Sequence, residues 1–264
     1  MKTLIKYLAL IVLFFGSNLS AQNWPVILGD NYSSLSYGIT EDYDNGILIS
    51  AYILKNSTTT KQGLLMKTDI NGNIIWEKRF GTGDYPFDLW KIVKTKDNGT
   101  ILSGSTAEFD NGYYDPLFLK LNPCGEVEWC TVLRSELGSG NDYGRGIVEL
   151  DDGSFIAMIK YYGHQIQTIR ISLIKMDAYG YPLWIQHLAQ QDSTVYNEEG
   201  YDLTLTSDSN YLVSGRRNGP KPYFIMCDTI GDEDWALTWN ETDVAWGSVE
   251  ETIEKDSGIF YASG

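Results

Sequence analysis

The chain repeats one phrase four times. It reads LLMKTDINGNIIWEKRF at 64–80, LFLKLNPCGEVEWCTVL at 117–133, SLIKMDAYGYPLWIQHL at 172–188 and YFIMCDTIGDEDWALTW at 223–239. Each copy holds an apolar run, Asp or Asn, two residues, Gly, three residues, Trp and a further apolar strand. Trp76, Trp129, Trp184 and Trp235 stand 53, 55 and 51 residues apart, and Trp24 lies 52 before the first. A unit of that size cannot bury its apolar face alone, so neighbouring units must stack and share a core.

A second phrase runs between the first. It appears as YGITEDYDNGILISAYI, LWKIVKTKDNGTILSGST, YGRGIVELDDGSFIAMIKY, GYDLTLTSDSNYLVSGRR and WGSVEETIEKDSGIFYASG. Asn45-Gly46, Asn98-Gly99, Asp152-Gly153 and Ser257-Gly258 offer the positive φ angles that a two-residue hairpin turn requires, and Asn210 takes that place in the remaining copy. The Trp phrases form a second hairpin around Gly72, Gly125, Gly180 and Gly231. Two hairpins per period make four short strands, and nothing after the N-terminal segment sustains a helical period. The expected fold is all-β, a β-propeller of four-stranded antiparallel blades. Four complete blades fall at roughly 36–80, 88–133, 142–188 and 199–239, with a partial blade at 246–264 and a closing strand at 23–29. Trp24, Trp76, Trp129, Trp184 and Trp235 are the expected blade-docking residues. A flat side chain on a last strand can fill the wedge between blades and offer its N–H to a backbone carbonyl.

The spacing of Asp69, Gly72 and Trp76 resembles the tryptophan-docking repeat of quinoprotein-like β-propellers. The wider phrasing, LLMKTDINGNIIWEKRFG followed by IVKTKDNGTILSGST, resembles the secreted propeller-repeat proteins of Bacteroidetes-type bacteria. Those proteins often carry a C-terminal sorting domain for surface delivery. The resemblance covers nearly all of the chain beyond the N-terminal segment, and it speaks to fold far more than to activity. It does not bring a quinone with it. Such enzymes stack the cofactor between an aromatic platform and adjacent cysteines, and no adjacent pair exists here. NWPVILG matches the last strand of a blade, and the final residues match only the first hairpin of one. The expectation is a fragment of a longer coding sequence, because an open arc would leave strand edges exposed.

The N-terminus, MKTLIKYLALIVLFFGSNLSAQ, places two lysines before an apolar stretch from Leu8 to Phe15 and small polar residues after it. That pattern is an export signal with cleavage after Ala21, too short in its apolar core to anchor in a bilayer. The mature chain is therefore expected outside the cell or on its surface, with no membrane insertion. The formal charge is −15, and losing Lys2 and Lys6 takes it to −17. So acidic a chain repels phosphate backbones and anionic lipid, which argues against nucleic-acid partners.

Few residues suggest chemistry. Cys124 and Cys130 flank one tight turn in NPCGEVEWC, and an exported chain offers them a local disulfide. Cys227 reads as a buried thiol. The run EDYDNG, with Asp42, Asp44 and Asn45, lacks the twelfth-position Glu of a helix-loop-helix calcium site, so its acids read as turn chemistry. No cofactor is expected, and calcium between blades or at loop tips is left open. His164 and His187 have no partner spacing for a metal or a nucleophile triad. The loops at 81–90, 108–116, 137–144 and 190–202 are rich in Tyr, Asp, Asn and Gly, and Tyr113 and Tyr114 form the candidate binding loop. The functional expectation is an exported non-enzymatic scaffold for a protein or glycan partner. The alternative is a propeller enzyme, either a quinone-dependent oxidoreductase or a glycan-acting hydrolase or lyase.

Overall fold

Eighteen strands and no helix occupy the described residues of the computed structural model, which are 33–54, 60–110, 112–134, 140–163, 168–188, 197–219, 221–239 and 247–264. Trp24, the strand expected at 23–29, the export segment and His164 lie outside them. The first sheet is β1 (Ser33–Glu41), β2 (Ile47–Leu54), β3 (Lys61–Thr68) and β4 (Ile74–Phe80). The second is β5 (Phe87–Lys94), β6 (Thr100–Asp110), β7 (Tyr113–Leu121) and β8 (Val127–Val132). The third is β9 (Tyr143–Glu149), β10 (Phe155–Gly163), β11 (Thr168–Met176) and β12 (Pro182–His187). The fourth is β13 (Glu198–Leu205), β14 (Tyr211–Arg217), β15 (Lys221–Cys227) and β16 (Glu233–Thr238). A two-stranded sheet of β17 (Glu251–Asp256) and β18 (Ile259–Ser263) follows. Strand order equals chain order in every sheet, and every pairing is antiparallel. First strands of successive sheets touch one another, which sets them around a common axis and turns the fourth strands outward. This is a β-propeller with four complete blades.

The core lies between sheets rather than within any one of them. Leu48, Leu65, Phe87, Leu89, Leu102 and Leu117 fill the space between the first and second blades, with Trp76 at its margin. Ile101, Phe118, Ile147 and Phe155 do the same between the second and third, with Trp129. Between the third and fourth, Ile156, Leu173, Tyr211 and Ile225 are closed by Trp184. Middle strands covered on both faces read as near-continuous apolar runs, such as Leu117 to Leu119 and Leu121, all buried, with Lys120 between them paired to Asp97 and Glu128. Outer strands keep the two-residue alternation instead, so that on β4 only Trp76, Lys78 and Phe80 turn inward.

The repeated Asp or Asn has one job in all four copies. Its Oδ1 accepts two backbone N–H groups across the outer hairpin: Asp69 from Asn71 and Asn73, both at 2.8 Å, and Asn122 from Cys124 and Glu126, both at 2.9 Å. Asp177 and Asp228 do likewise. Gly72, Gly125, Gly180 and Gly231 carry φ of 80°, 72°, 80° and 88°, the left-handed conformation that closes this turn.

In the four complete blades the inner hairpins differ from the two-residue turn expected of them, whereas Ser257-Gly258 does join β17 to β18 as two residues, across the Asp256–Ile259 pair. Asp42 N–H donates to Gly46 O and Asn45 N–H to Asp42 O, so the connection is longer and only one residue turns left-handed. That residue is Asn45, Asn98, Gly153, Ser209 or Gly258, and in the fourth blade it is Ser209 rather than Asn210. Gly46 and Gly99 are needed for space: an added Cβ would stand 2.6 Å from Thr68 O and 2.3 Å from Leu121 O. The acids of these turns accept backbone N–H groups, as Asp44 does from Gly46 and Asp97 from Gly99.

Candidate functional site at the propeller axis

Each of the four complete blades breaks the register of its first strand against its second. The unpaired residues are Tyr37, between Ser36 and Gly38; Trp90, between Leu89 and Lys91; and Tyr201, between Gly200 and Asp202. In the third blade Arg145 and Gly146 bulge opposite Met158. Such bulges re-aim a side chain out of the ladder and are common beside functional sites. Tyr37, Trp90, Arg145 and Tyr201 all stand eight positions before the left-handed residue of their inner turn, and in the fifth sheet that offset lands on Glu250. All five line one cavity of about 270 Å³ on the axis, which Lys91, Glu251 and Ser263 help to close.

The bulged residues hold one another. The rings of Tyr37 and Trp90 lie 4.1 Å apart between centroids. The Arg145 guanidinium sits 4.0 Å from the Trp90 centroid, 5.5 Å from Tyr143 and 5.7 Å from Tyr201. Lys61 lies 4.4 Å over Tyr52 and pairs with the buried Asp88 at 3.2 Å. Burial pushes the Tyr37 hydroxyl up to about 12, with Tyr52 adding to the shift. Burial also lifts Tyr201 to about 12, helped by Glu199. These phenols are therefore neutral hydrogen-bonding groups at any ordinary pH.

Acids around the cavity are largely committed. Burial would raise the Glu199 carboxyl, but Lys160 at 2.7 Å and Arg216 at 2.8 Å outweigh it and hold it near about 2. One residue below the bulges, Lys91 reaches across the axis to Asp202 at 2.9 Å and Glu251 at 3.5 Å. Burial works against the Lys91 ammonium, yet Asp202 more than restores it and leaves its pKa raised. Asp202 is further fixed by the Thr252 N–H at 2.8 Å. This ion pair is a floor. On its far side lies a second cavity of about 380 Å³, lined by Val93, Lys94, Lys96, Glu149, Leu205 and Thr252 among others.

Arg145 is the exception. Its Nε is buried with no hydrogen-bond partner, and among the described residues no carboxylate lies within ion-pairing distance of it. Burial lowers its pKa and outweighs the opposing pull of Tyr201 and Glu199, neither of which is bonded to it.

The residues singled out from sequence serve elsewhere. Trp76, Trp129 and Trp184 each press on the turn glycine of the following blade: a Cβ at Gly125, Gly180 or Gly231 would come within 3.1, 2.5 and 2.9 Å of them. Trp129 Nε1 donates to Ala178 O at 3.1 Å. Two residues on, Lys78, Thr131 and Gln186 each hydrogen-bond the same neighbouring turn. Trp235 is 46% exposed on β16. Cys124 and Cys130 are free thiols, both exposed, so the disulfide expected across their turn is not formed. Asn122 fixes the Cys124 backbone at the turn tip, while Cys130 on β8 is paired with Leu119. Burial pushes the Cys227 thiol up to about 12. His187 Nδ1 lies 2.8 Å from Ser172 Oγ on the outer strand. Tyr114 stacks on Tyr143 with centroids 5.3 Å apart, next to the axial cluster, whereas Tyr113 is exposed and lines neither cavity. Among the described residues no three His, Cys, Asp or Glu side chains are grouped to hold a metal ion. No helix there is long and apolar enough to cross a membrane.

No protein-family model matches the chain, and no curated protein matches it. Solved structures do. A Dyadobacter fermentans protein of unknown function aligns over 80% of this chain and 65% of its own, at 11% identity and a TM-score of 0.58. The Penicillium chrysogenum α-L-arabinanase complexed with arabinobiose aligns over 83% of this chain and 64% of its own, at 11% identity and a TM-score of 0.53. The chain thus spans just under two thirds of the length of either protein. At such identity the likeness is one of fold, and that fold is the β-propeller.

Proposed function

We propose that the protein is an exported, non-enzymatic binding module that takes a saccharide into its axial cavity. One observation carries this reading: five equivalent positions, Tyr37, Trp90, Arg145, Tyr201 and Glu250, supply flat faces, a fork of donors and a carboxylate to one cavity. Aromatic faces with a few convergent polar groups suit the alternating apolar and hydroxylated faces of a sugar ring. Tyr113 and Tyr114 lie at or beyond the margin of this site.

An enzyme acting on glycosidic bonds requires two carboxyl groups facing the bond, about 5.5 Å apart or about 6.5–9.5 Å apart. Of the two acids that line the cavity, Glu251 is paired with Lys91 at 3.5 Å and Glu250 has no cation within ion-pairing distance among the described residues. Asp88, Glu199 and Asp202 behind the lining are each held by a cation, so one unpaired carboxyl faces the volume rather than an acid–base pair. That favours binding over hydrolysis.

The test is calorimetry with a panel of neutral and acidic mono- and disaccharides. Trp90→Ala and Tyr201→Ala should each weaken binding by about tenfold or more, from the loss of a stacking face. Tyr113→Ala should bind like the wild type. Wild-type affinity in both axial variants would overturn the site.

A further inference from the structure

We infer that the saccharide taken by the axial cavity carries a carboxylate, and that Arg145 is its counter-charge. This rests on the binding reading above and names the ligand class for the same site. Inside a chain of net charge −15, a guanidinium with a buried Nε that lacks a hydrogen-bond partner, and with no carboxylate within 4.0 Å among the described residues, is the least expected arrangement. Leaving a buried donor unsatisfied is unfavourable, and nearby acids could have answered it. Those acids go to other cations: Asp88 to Lys61, Glu199 to Lys160 and Arg216, and Asp202 to Lys91. The fork of Arg145 is held by ring faces on Trp90, Tyr143 and Tyr201, which fix its plane without occupying its N–H groups. A planar carboxylate is the group that such a fork pairs best.

Glu250 decides between a sugar acid and a simple anion. It lines the same cavity, and among the described residues its carboxylate accepts only the Ser248 hydroxyl, at 2.5 Å. A bare carboxylate would meet that charge with nothing to donate to it. A hexuronate meets it with hydroxyls while its own carboxylate reaches Arg145, and its ring lies between Tyr37, Trp90 and Tyr201. The cavity, about 270 Å³, suits the terminal residue of such a chain.

The test compares glucuronate- and galacturonate-containing disaccharides with their neutral glucose and galactose counterparts, with acetate as the simple carboxylate. Wild type should bind an acidic disaccharide about 10- to 100-fold more tightly than its neutral counterpart, the range of one charge-assisted bidentate contact, and acetate should not bind measurably. Arg145→Gln should erase that preference, so that acidic and neutral disaccharides bind it alike. Arg145→Lys, which keeps the charge and the fold, should lose most of it because an ammonium cannot offer the fork. Equal affinity for acidic and neutral disaccharides, with Trp90→Ala still weakening both, would overturn the carboxylate inference and leave the binding site standing. No binding of any saccharide would overturn both.

Discussion

The turn glycine of the third blade tests whether blades are held together by tryptophan on glycine. Gly180 has φ of +80°, and a Cβ there would lie 2.5 Å from Trp129 Cε3 and 2.7 Å from Thr131 Oγ1. Gly153, in the inner turn of the same blade, has φ of +79°, but its nearest neighbour would be Ala178 Cβ at 4.0 Å. Alanine at either position adopts a left-handed conformation at a cost of about 1 kcal/mol. Only at Gly180 must the neighbouring blade also move, and forcing a methyl into a packed contact adds about 1–3 kcal/mol. Displacing the turn also strains the bonds from Trp129 Nε1 to Ala178 O and from Thr131 Oγ1 to Gly180 O, each worth about 1 kcal/mol. Gly153→Ala should therefore lose about 1 kcal/mol and Gly180→Ala about 3 kcal/mol or more in urea unfolding, read at constant m-value because blade arrays can unfold in steps. Trp129→Leu should relieve the clash, giving a coupling of about 1 kcal/mol or more in the double-mutant cycle. If the two alanine variants fall within about 0.5 kcal/mol of each other, or the cycle is additive, the docking argument fails.

Three other outcomes follow from the same geometry. Lys91→Met should cost about 3 kcal/mol in thermal unfolding because it strands the buried Asp202, whereas Lys96→Met should cost under about 0.5 kcal/mol, since its pair with Asp151 is exposed. Adjacent acids should titrate in opposite senses. Burial raises Glu198 to about 6, against the pull of Arg217 and Arg170, so its share of stability is present below about pH 4.5 and lost as pH rises through 6, on the order of 2 kcal/mol. Glu199, held near about 2, contributes above about pH 4.5 and loses that contribution as pH falls toward 2, by at most about 3 kcal/mol. Unfolding of Glu198→Gln and Glu199→Gln against wild type from pH 2 to 7 should show differences changing in those two separate windows, and a shared window would refute the assignment. Finally, a thiol reagent should label two cysteines in the native protein and Cys227 only after unfolding; a native count of zero would mean that Cys124 and Cys130 are bonded.

The parts legible in the sequence are those that repeat. Period, hairpins and sheet order could be read from Asp69, Gly72, Trp76 and their copies because each copy solves one local problem: closing a turn and covering the next blade. Turn detail was less legible. Asn45-Gly46 fits a two-residue turn on paper, and only the ladder reveals that Gly46 is there to clear Thr68 O while Asn45 alone turns left-handed. The disulfide was misleading for a related reason: two cysteines flanking one turn are close in sequence, but Cys124 sits at the turn tip while Cys130 lies up β8, paired across the ladder with Leu119. The axial site was missed altogether. A bulge is invisible to alternation, and no one residue type runs through Tyr37, Trp90, Arg145, Tyr201 and Glu250. Counting back eight positions from each left-handed turn residue would have collected them.

Their variety has a physical cause. On the outer strands a repeated residue meets a different surface, the next blade's turn, so the same Trp serves every time. At the axis the equivalent residues of all blades meet one another. A charge repeated there would confront its own copies across a few ångströms, where like charges repel strongly in a poorly solvated space. The column just below the bulges accordingly reads Gly38, Lys91, Gly146, Asp202 and Glu251, with one cation set between two acids. The column above places one guanidinium among three aromatic residues and one acid. A repeat array can be uniform where it holds itself together, and its axis must be assembled from unlike residues. That is also what a binding site requires. In this fold the positions where the repeat is broken are therefore the ones to mutate first.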